Sequence, residues 1–175
     1  VRDVACNEHM EHQFAAGYES GEIAIWDKRI NRAACDIRIK AHNNLNNAQA
    51  RSVAWHPIRR ELLASGGTDY FCRVWDINQP TAERFSVQTI AQVSVTKWRP
   101  KPPGGGQICE LVTAASTGFD LSVHIWDVFR PHIPIYSTKG HTDVVTDVAW
   151  YRREHATLLT VSRDCTLRAT TLTHP

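Results

Sequence analysis

The chain has 175 residues, 42% of them hydrophobic, with 20 Lys and Arg against 18 Asp and Glu. That length suits one domain or part of one, and that apolar content excludes a disordered polymer. A formal net charge of +2 is too small to mark a nucleic-acid protein, and no apolar run approaches the ~20 residues that cross a bilayer.

The first residue is Val1 rather than Met, which suggests an excerpt of a longer chain, and no basic–apolar–small signal pattern opens it. Five cysteines form no C-x-x-C pair, and no N-x-S/T acceptor occurs; both fit a reducing, intracellular setting. Arginines outnumber lysines 15 to 5, which suits bidentate contacts at protein interfaces.

In chain order, the elements come as four similar units. "VRDVACN" (Val1–Asn7) opens the first, followed by "EIAIWD" (Glu22–Asp27) and "AACDIRI" (Ala33–Ile39). The second runs "RSVAWHP" (Arg51–Pro57), "LLASGG" (Leu62–Gly67), "FCRVWD" (Phe71–Asp76) and "RFSVQTI" (Arg84–Ile90). The third has "VTKWRP" (Val95–Pro100), "LVTAAS" (Leu111–Ser116) and "SVHIWD" (Ser122–Asp127); the fourth has "TDVAWYR" (Thr146–Arg152), "LLTVS" (Leu158–Ser162) and "TLRATT" (Thr166–Thr171). From the early to the late signature the step is 20 residues for Cys6–Trp26 and Trp55–Trp75, and 28 for Trp98–Trp126. Twenty residues after Trp150 lies Thr170, where no tryptophan stands. The eight extra residues of the third unit are assigned to the connection "KPPGGGQI" (Lys101–Ile108).

Short runs of β-branched and aromatic residues bounded by Gly, Asp, Ser and Pro predict strands, and no helical period is present. The strands are apolar on both sides, so both sheet faces are expected to be covered. Four short antiparallel strands per ~45 residues predict an all-β protein made of β-propeller blades, with units at about 1–40, 41–90, 91–139 and 140–175.

These residues resemble the WD-repeat family over nearly the whole chain. The resemblance implies a buried tetrad of His, Ser or Thr, Asp and Trp in each blade. The second unit holds all four, His42, Ser65, Asp69 and Trp75. The third, at the same offsets, holds Ser116, Asp120 and Trp126 but has Thr89 for the histidine; the fourth holds His141, Thr160 and Asp164 with Thr170 for the tryptophan. The first keeps Trp26, with Ala16 and Ser20 in place of the Ser and Asp. A buried indole N–H and imidazole need partners, and a satisfied network fixes the register of a blade.

His42, Ser65 and Asp69 also read as a Ser-His-Asp catalytic set, but partial copies in the other units favour a structural role. "HMEH" (His9–His12) lacks a third metal ligand, "PPGGGQ" lacks the GK[ST] of a phosphate loop, and Cys6 and Cys72 sit at strand positions. Neither catalytic residues, metal nor cofactor is expected. No convergent acid, base or metal set supports an enzyme.

"QTIA" (Gln88–Ala91), "KWRP" (Lys97–Pro100), "AHN" (Ala41–Asn43), "WHP" (Trp55–Pro57), "ASGGTD" (Ala64–Asp69) and "WDVFRP" (Trp126–Pro131) narrow the resemblance to the WD-repeat, RING-tailed subunits of the SEA/GATOR complex. That resemblance implies a non-catalytic scaffold within a seven-bladed propeller, binding other protein subunits and regulating TOR signalling in response to amino acids. It implies a cytoplasmic protein peripheral to the lysosomal or vacuolar membrane, with the RING-type ubiquitin-ligase domain outside these residues. The connections Lys101–Ile108 and Asn43–Ala50 depart from the family pattern. Four open-ended blades would leave apolar faces wet, so the missing blades are expected from the same chain or another. Thr68, Phe119 and Arg163, in the turns ahead of the tetrad aspartates, are candidate partner-binding residues. The alternative reading is a WD-repeat reader of RNA or of histone-like, modified peptides.

Overall fold

A computed structural model describes residues 1–30, 35–42, 47–101, 109–115, 117–151 and 156–172. These residues form β-strands and no helix. In the first sheet β1 (Asp3–Cys6), β2 (Gln13–Gly17), β3 (Glu22–Asp27) and β4 (Ile37–Lys40) pair antiparallel in sequence order. The second holds β5 (Ala50–Trp55), β6 (Leu62–Gly67), β7 (Phe71–Asp76) and β8 (Glu83–Gln88) in the same order. The third holds β9 (Val93–Trp98), β10 (Glu110–Ala115), β11 (Val123–Asp127) and β12 (Tyr136–Thr138), and the fourth β13 (Val145–Trp150), β14 (Thr157–Ser162) and β15 (Leu167–Thr171).

The core lies between sheets rather than inside any one of them. Ile23, Ile25 and Ile39 of the first sheet pack against Val53, Trp55, Leu63 and Trp75 of the second. Leu62, Val74 and Val87 then meet Trp98, Leu111 and Trp126. Val112, Val123 and Ile125 meet Val145, Val148 and Leu158. A sheet with a neighbour on each side buries both faces, and all six residues of β6 are buried. β13 has a neighbour on one side and reads buried, exposed, exposed, buried, exposed, half-buried. Apolar side chains on both faces are what such face-to-face stacking of twisted sheets requires, and this is the propeller arrangement.

Two local devices repeat. The hairpin between the second and third strands places a left-handed residue just ahead of the third strand: Gly21 (φ 78°), Tyr70 (φ 68°) and Cys165 (φ 62°). Gly21 has a second reason, since a Cβ there would lie 2.4 Å from the His42 carbonyl oxygen and 2.6 Å from that of Ala48. The other device is a bulge near the start of the inner strand. The register slips between Ala50 and Ser52, opposite Val93 and Val95, and between Val145 and Asp147. The slip re-aims the residues that follow it, Ser52, Val95 and Asp147.

Candidate functional site: the buried polar networks and the joints between blades

In the second blade His42 leaves the connection before β5 and enters the sheet fully buried. Its Nδ1 lies 2.8 Å from Asp69 Oδ1 and its Nε2 2.9 Å from Ser65 Oγ, while Trp75 Nε1 donates to the same hydroxyl at 3.0 Å. With Nδ1–H donating to Asp69, Nε2 accepts from the Ser65 hydroxyl and Ser65 accepts from the indole; Arg73 Nη1, also 2.8 Å from Nδ1, then donates to Asp69 Oδ2 and the Ala41 carbonyl rather than to the ring. Burial lowers the His42 pKa, opposed by the Asp69 carboxylate beside it. Burial by itself would raise the Asp69 pKa, but the donors on His42 and Arg73 outweigh it and hold the carboxylate ionised. Ser65 is 0% exposed with its hydroxyl already shared, so this Ser-His-Asp set has no path to a substrate and acts as a structural link. Gly67 is part of the same packing, because a Cβ there would sit 2.2 Å from His42 Nδ1 and 2.7 Å from Asp69 Oδ1.

Arg73 completes the set, and the tetrad pattern did not select it. Its Nη1 donates to Asp69 Oδ2 at 2.6 Å and to the Ala41 carbonyl at 3.1 Å; its Nε meets Glu83 at 2.6 Å, and its guanidinium covers the Phe71 ring at 4.6 Å. The signal was present: Arg73 stands four residues after Asp69 and two before Trp75.

The same position explains the odd third blade. There Trp126 Nε1 donates to Thr113 Oγ1 at 2.8 Å, thirteen residues away, whereas Ser65 and Trp75 are ten apart. Thr113 faces His124 across the ladder as Ser65 faces Arg73, so it is the structural counterpart of Ser65. Counting ten residues back from Trp126 selects Ser116, which lies outside the described residues. The eight extra residues of this unit are therefore divided. Three fall in the β10–β11 turn and five between Trp98 and Thr113, in a connection whose residues 102–108 lie outside the description. Asp120 meets not a histidine from the preceding connection but His124, whose Nε2 is 2.8 Å from Asp120 Oδ2 and whose Nδ1 is 2.7 Å from Ser137 Oγ. Partial burial would raise the Asp120 pKa, but the His124 and Ser122 donors bring it below the ordinary value. Thr89, at the vacated histidine position, turns its hydroxyl to the backbone carbonyls of Ala91 and Tyr70, at 2.7 and 3.0 Å.

The fourth blade joins His141 to Asp164 (2.9 Å) and Thr160 (2.8 Å), and Thr166 Oγ1 donates to Asp164 at 2.6 Å. Hydrogen bonds from the Thr166 hydroxyl and then from the Thr142 amide and His141 hold the Asp164 pKa well below the usual carboxylate range. Thr170 lies on β15 opposite Leu158. In the first blade Ala16 faces Ala24, Trp26 stacks on Phe14 with centroids 6.3 Å apart, and Ser20 bonds Glu22 at 3.4 Å.

The early tryptophans serve the joints. Trp55 Nε1 donates to the Ala5 carbonyl at 3.0 Å, and Trp98 Nε1 to the Ala54 carbonyl at 3.1 Å, each one blade back. Two residues before each tryptophan, a backbone N–H binds a side chain of that preceding blade: Val53 N to Asp3 Oδ2 at 2.9 Å and Thr96 N to Ser52 Oγ at 3.0 Å. Among the described residues the third joint has neither link. Val95 stands where Asp3 and Ser52 stand, Val148 N binds its own Asp147 at 2.8 Å, and the buried Trp150 Nε1 has no partner among the described residues, although the Arg99 guanidinium lies over the Trp150 ring at 5.3 Å. A cavity of about 400 Å³ at this end is lined by Trp55, Lys97, Trp98, Asp147 and Trp150 among others.

Of the candidate partner-binding residues, Phe119 is 94% exposed and Arg163 is exposed, while Thr68 is tied to Gln49 through its hydroxyl, 2.9 Å from the Gln49 N, and its own amide at 3.1 Å. Among the described residues no group of three or more His, Cys, Asp or Glu could hold a metal ion, and no helix is long and apolar enough to cross a membrane.

Stacked antiparallel sheets with His–Ser/Thr–Asp–Trp networks define the WD-repeat class of β-propeller protein, and the chain carries such repeats: residues 34–76 and 133–169 match the family described as WD domain, G-beta repeat. Among curated proteins it is similar to GATOR2 complex protein WDR24 of Xenopus laevis, 36% identical over 170 residues, and of Homo sapiens, 35% over 170 residues. Each alignment takes in 95% of this chain and 20% of the relative, so the chain spans about a fifth of the length of these relatives. Similarity extends to GATOR2 complex protein Wdr59 of Drosophila melanogaster, 30% identical over 160 residues, 87% of this chain and 15% of that one. A chain in the crystal structure of a mitotic checkpoint complex superposes with a TM-score of 0.78 at 23% identity, over 98% of this chain and 49% of that chain, and shares the fold.

Proposed function

We propose that this chain is part of a non-catalytic WD-repeat scaffold in a GATOR2-type (SEA/GATOR) complex, where it binds other protein subunits and helps regulate TOR signalling in response to amino acids. The observation that carries this reading is 35–36% identity to WDR24 proteins along 95% of the chain. The polar networks support it from the other side. They face inward, lock blade register and leave rim side chains such as Phe119 and Arg163 free to meet a partner. The blades belong to a seven-bladed ring, and the protein works on the cytoplasmic side, at the lysosomal or vacuolar membrane through its complex; a RING-type domain lies outside these residues. Tagged full-length protein, purified from its own cells, is expected to carry the other subunits of that complex. Recovery of RNA-binding or chromatin proteins in their place would overturn the reading. A Phe119→Ala/Arg163→Ala variant is expected to fold normally and to lose about tenfold or more of the recovered partner. Undiminished recovery would remove those two residues from the interface.

A further inference from the structure

Three of the sheets end in an outer strand with one unpaired edge, and the three edges differ in length. β4 has four residues and β12 three, whereas β8 has six. β8 is anchored from within, because Val87 is buried in the core shared with the third blade. Its register slips only near the Glu83 end, so Phe85–Gln88 run regularly beside Phe71–Val74. The Thr89 amide donates to the Tyr70 carbonyl at 2.9 Å, which fixes the alternation along the ladder. Val87 and Phe85 then bond to β7, while Ser86 and Gln88 turn their N–H and C=O groups away from the sheet. Such an edge is a template for one more strand.

A wall stands opposite this edge. The β11–β12 connection leans from the third blade onto the second, and the Phe129 ring meets Phe85 edge to face, with centroids 5.2 Å apart. Its two ends are fastened: Asp127 Oδ1 accepts from Phe129 N at 3.0 Å, and Ile135 N donates to the Ile125 carbonyl at 2.8 Å. Pro131 and Pro134 stiffen what lies between. Wall and edge enclose a cleft of about 600 Å³, lined by Phe71, Ser86, Gln88, Ile90, Pro131 and His132 among others. Ile90 is 79% exposed beside it. None of the described residues lining the cleft is acidic. The acids at the far end of β8 are engaged, Glu83 by Arg73 and Asp76 by Arg84. Arg130, next to the wall, is exposed and has no acidic partner among the described residues.

We propose that this cleft takes an extended acidic and apolar segment of another protein, added to the second sheet as a fifth strand beyond β8. The backbone of the segment pairs with Ser86 and Gln88, an apolar side chain rests on Phe71 and Ile90, and carboxylates lie toward Arg130 and His132. The unopposed positive groups select the acidic partner. A second copy of this chain fits less well, because pairing β8 with β8 would bring together two walls and two sets of the same basic residues. The inference takes from the scaffold reading only that the partner is a protein, and the site is separate from Phe119 and Arg163.

The test adds two short capped peptides, alternating Asp-Val and alternating Lys-Val, to purified full-length protein. With the Asp-Val peptide at saturation, the Ser86 and Gln88 amides are expected to exchange with deuterium about tenfold more slowly. The Lys-Val peptide at the same concentration should leave them unchanged. Gln88→Pro removes one outward N–H without touching the ladder, since an edge position facing away from its neighbour tolerates proline. It should weaken the Asp-Val peptide about tenfold, the worth of one hydrogen bond. Arg130→Glu with His132→Glu alters only exposed side chains and should turn the preference toward the Lys-Val peptide. Unchanged exchange at Ser86 and Gln88 with millimolar Asp-Val peptide, or a preference that survives the charge reversal, would overturn the inference. If the same amides slow with rising protein concentration and no peptide, the occupant is a second copy and the inference falls. Co-purification of complex subunits tests the scaffold reading separately, and neither result forces the other.

Discussion

At the scale of single residues, the second-blade network sets clear costs. Ser65→Ala strips the shared partner from a buried indole and a buried imidazole, and is expected to destabilise the protein by about 2–4 kcal/mol in urea titrations, one to two unsatisfied buried groups. Gly67→Ala, the smallest change available, should cost at least as much, because its Cβ would overlap the His42 ring. The pH dependence follows from the directions of the shifts. His42 binds its proton less readily when folded than in the unfolded chain, where histidine titrates near 6.5. The unfolded state therefore takes up more protons below that value, and stability should fall as pH drops through about 6.5. Asp69, Asp120 and Asp164 are all depressed when folded, so their contribution is present above the ordinary 3.8 and lost as pH falls through it toward the folded values. Urea midpoints should be flat from pH 8 to 7, decline below 6.5 and decline again below about 4. A midpoint rising between pH 7 and 5 would contradict the neutral assignment of His42.

At the scale of elements, the joints separate the six tryptophans by function. Trp98→Phe keeps a large ring but loses the bond to the Ala54 carbonyl and should cost more than Trp150→Phe, whose indole N–H has no acceptor among the described residues. The difference is expected to be about 1 kcal/mol, the net worth of one hydrogen bond, and thermal unfolding of the two variants of one preparation measures it. Equal losses would mean that ring packing alone holds these joints. Trp75 and its Ser–His–Asp partners were legible in the sequence because the β6–β7 turn has the ordinary length, so spacing reports geometry. The third blade shows where this fails. A turn three residues longer shifted the count from Thr113 to Ser116, and only the ladder register puts Thr113 opposite His124. Arg73 and His124 escaped for a different reason. They bond to the turn aspartate from the third strand, a relation between two elements that a one-dimensional pattern does not encode. The role of the early tryptophans was hidden in the same way, since their partners lie about 44–50 residues away on another sheet.

At the scale of the molecule, the thiols report how the sheets stack. Burial pushes Cys72 up to about 12, whereas Cys6 and Cys165 are exposed. Alkylation at pH 8 should label Cys6 and Cys165 within minutes and leave Cys72 unmodified until the protein is unfolded, as mass spectrometry of the peptides would show. Early labelling of Cys72 would mean that the second and third blades part readily. The unequal joints also have a mechanical meaning. Between the first and second blades, and again between the second and third, backbone N–H groups and indoles are hydrogen-bonded across the joint as well as packed, whereas the third joint has Val95 packed with Val148 and, over the Trp150 ring, the Arg99 guanidinium, with no acceptor for the indole N–H among the described residues. Under load applied along the chain, rupture should begin between the third and fourth blades. The chain would part there as at a perforation, with the first three blades still clasped when the fourth has come away.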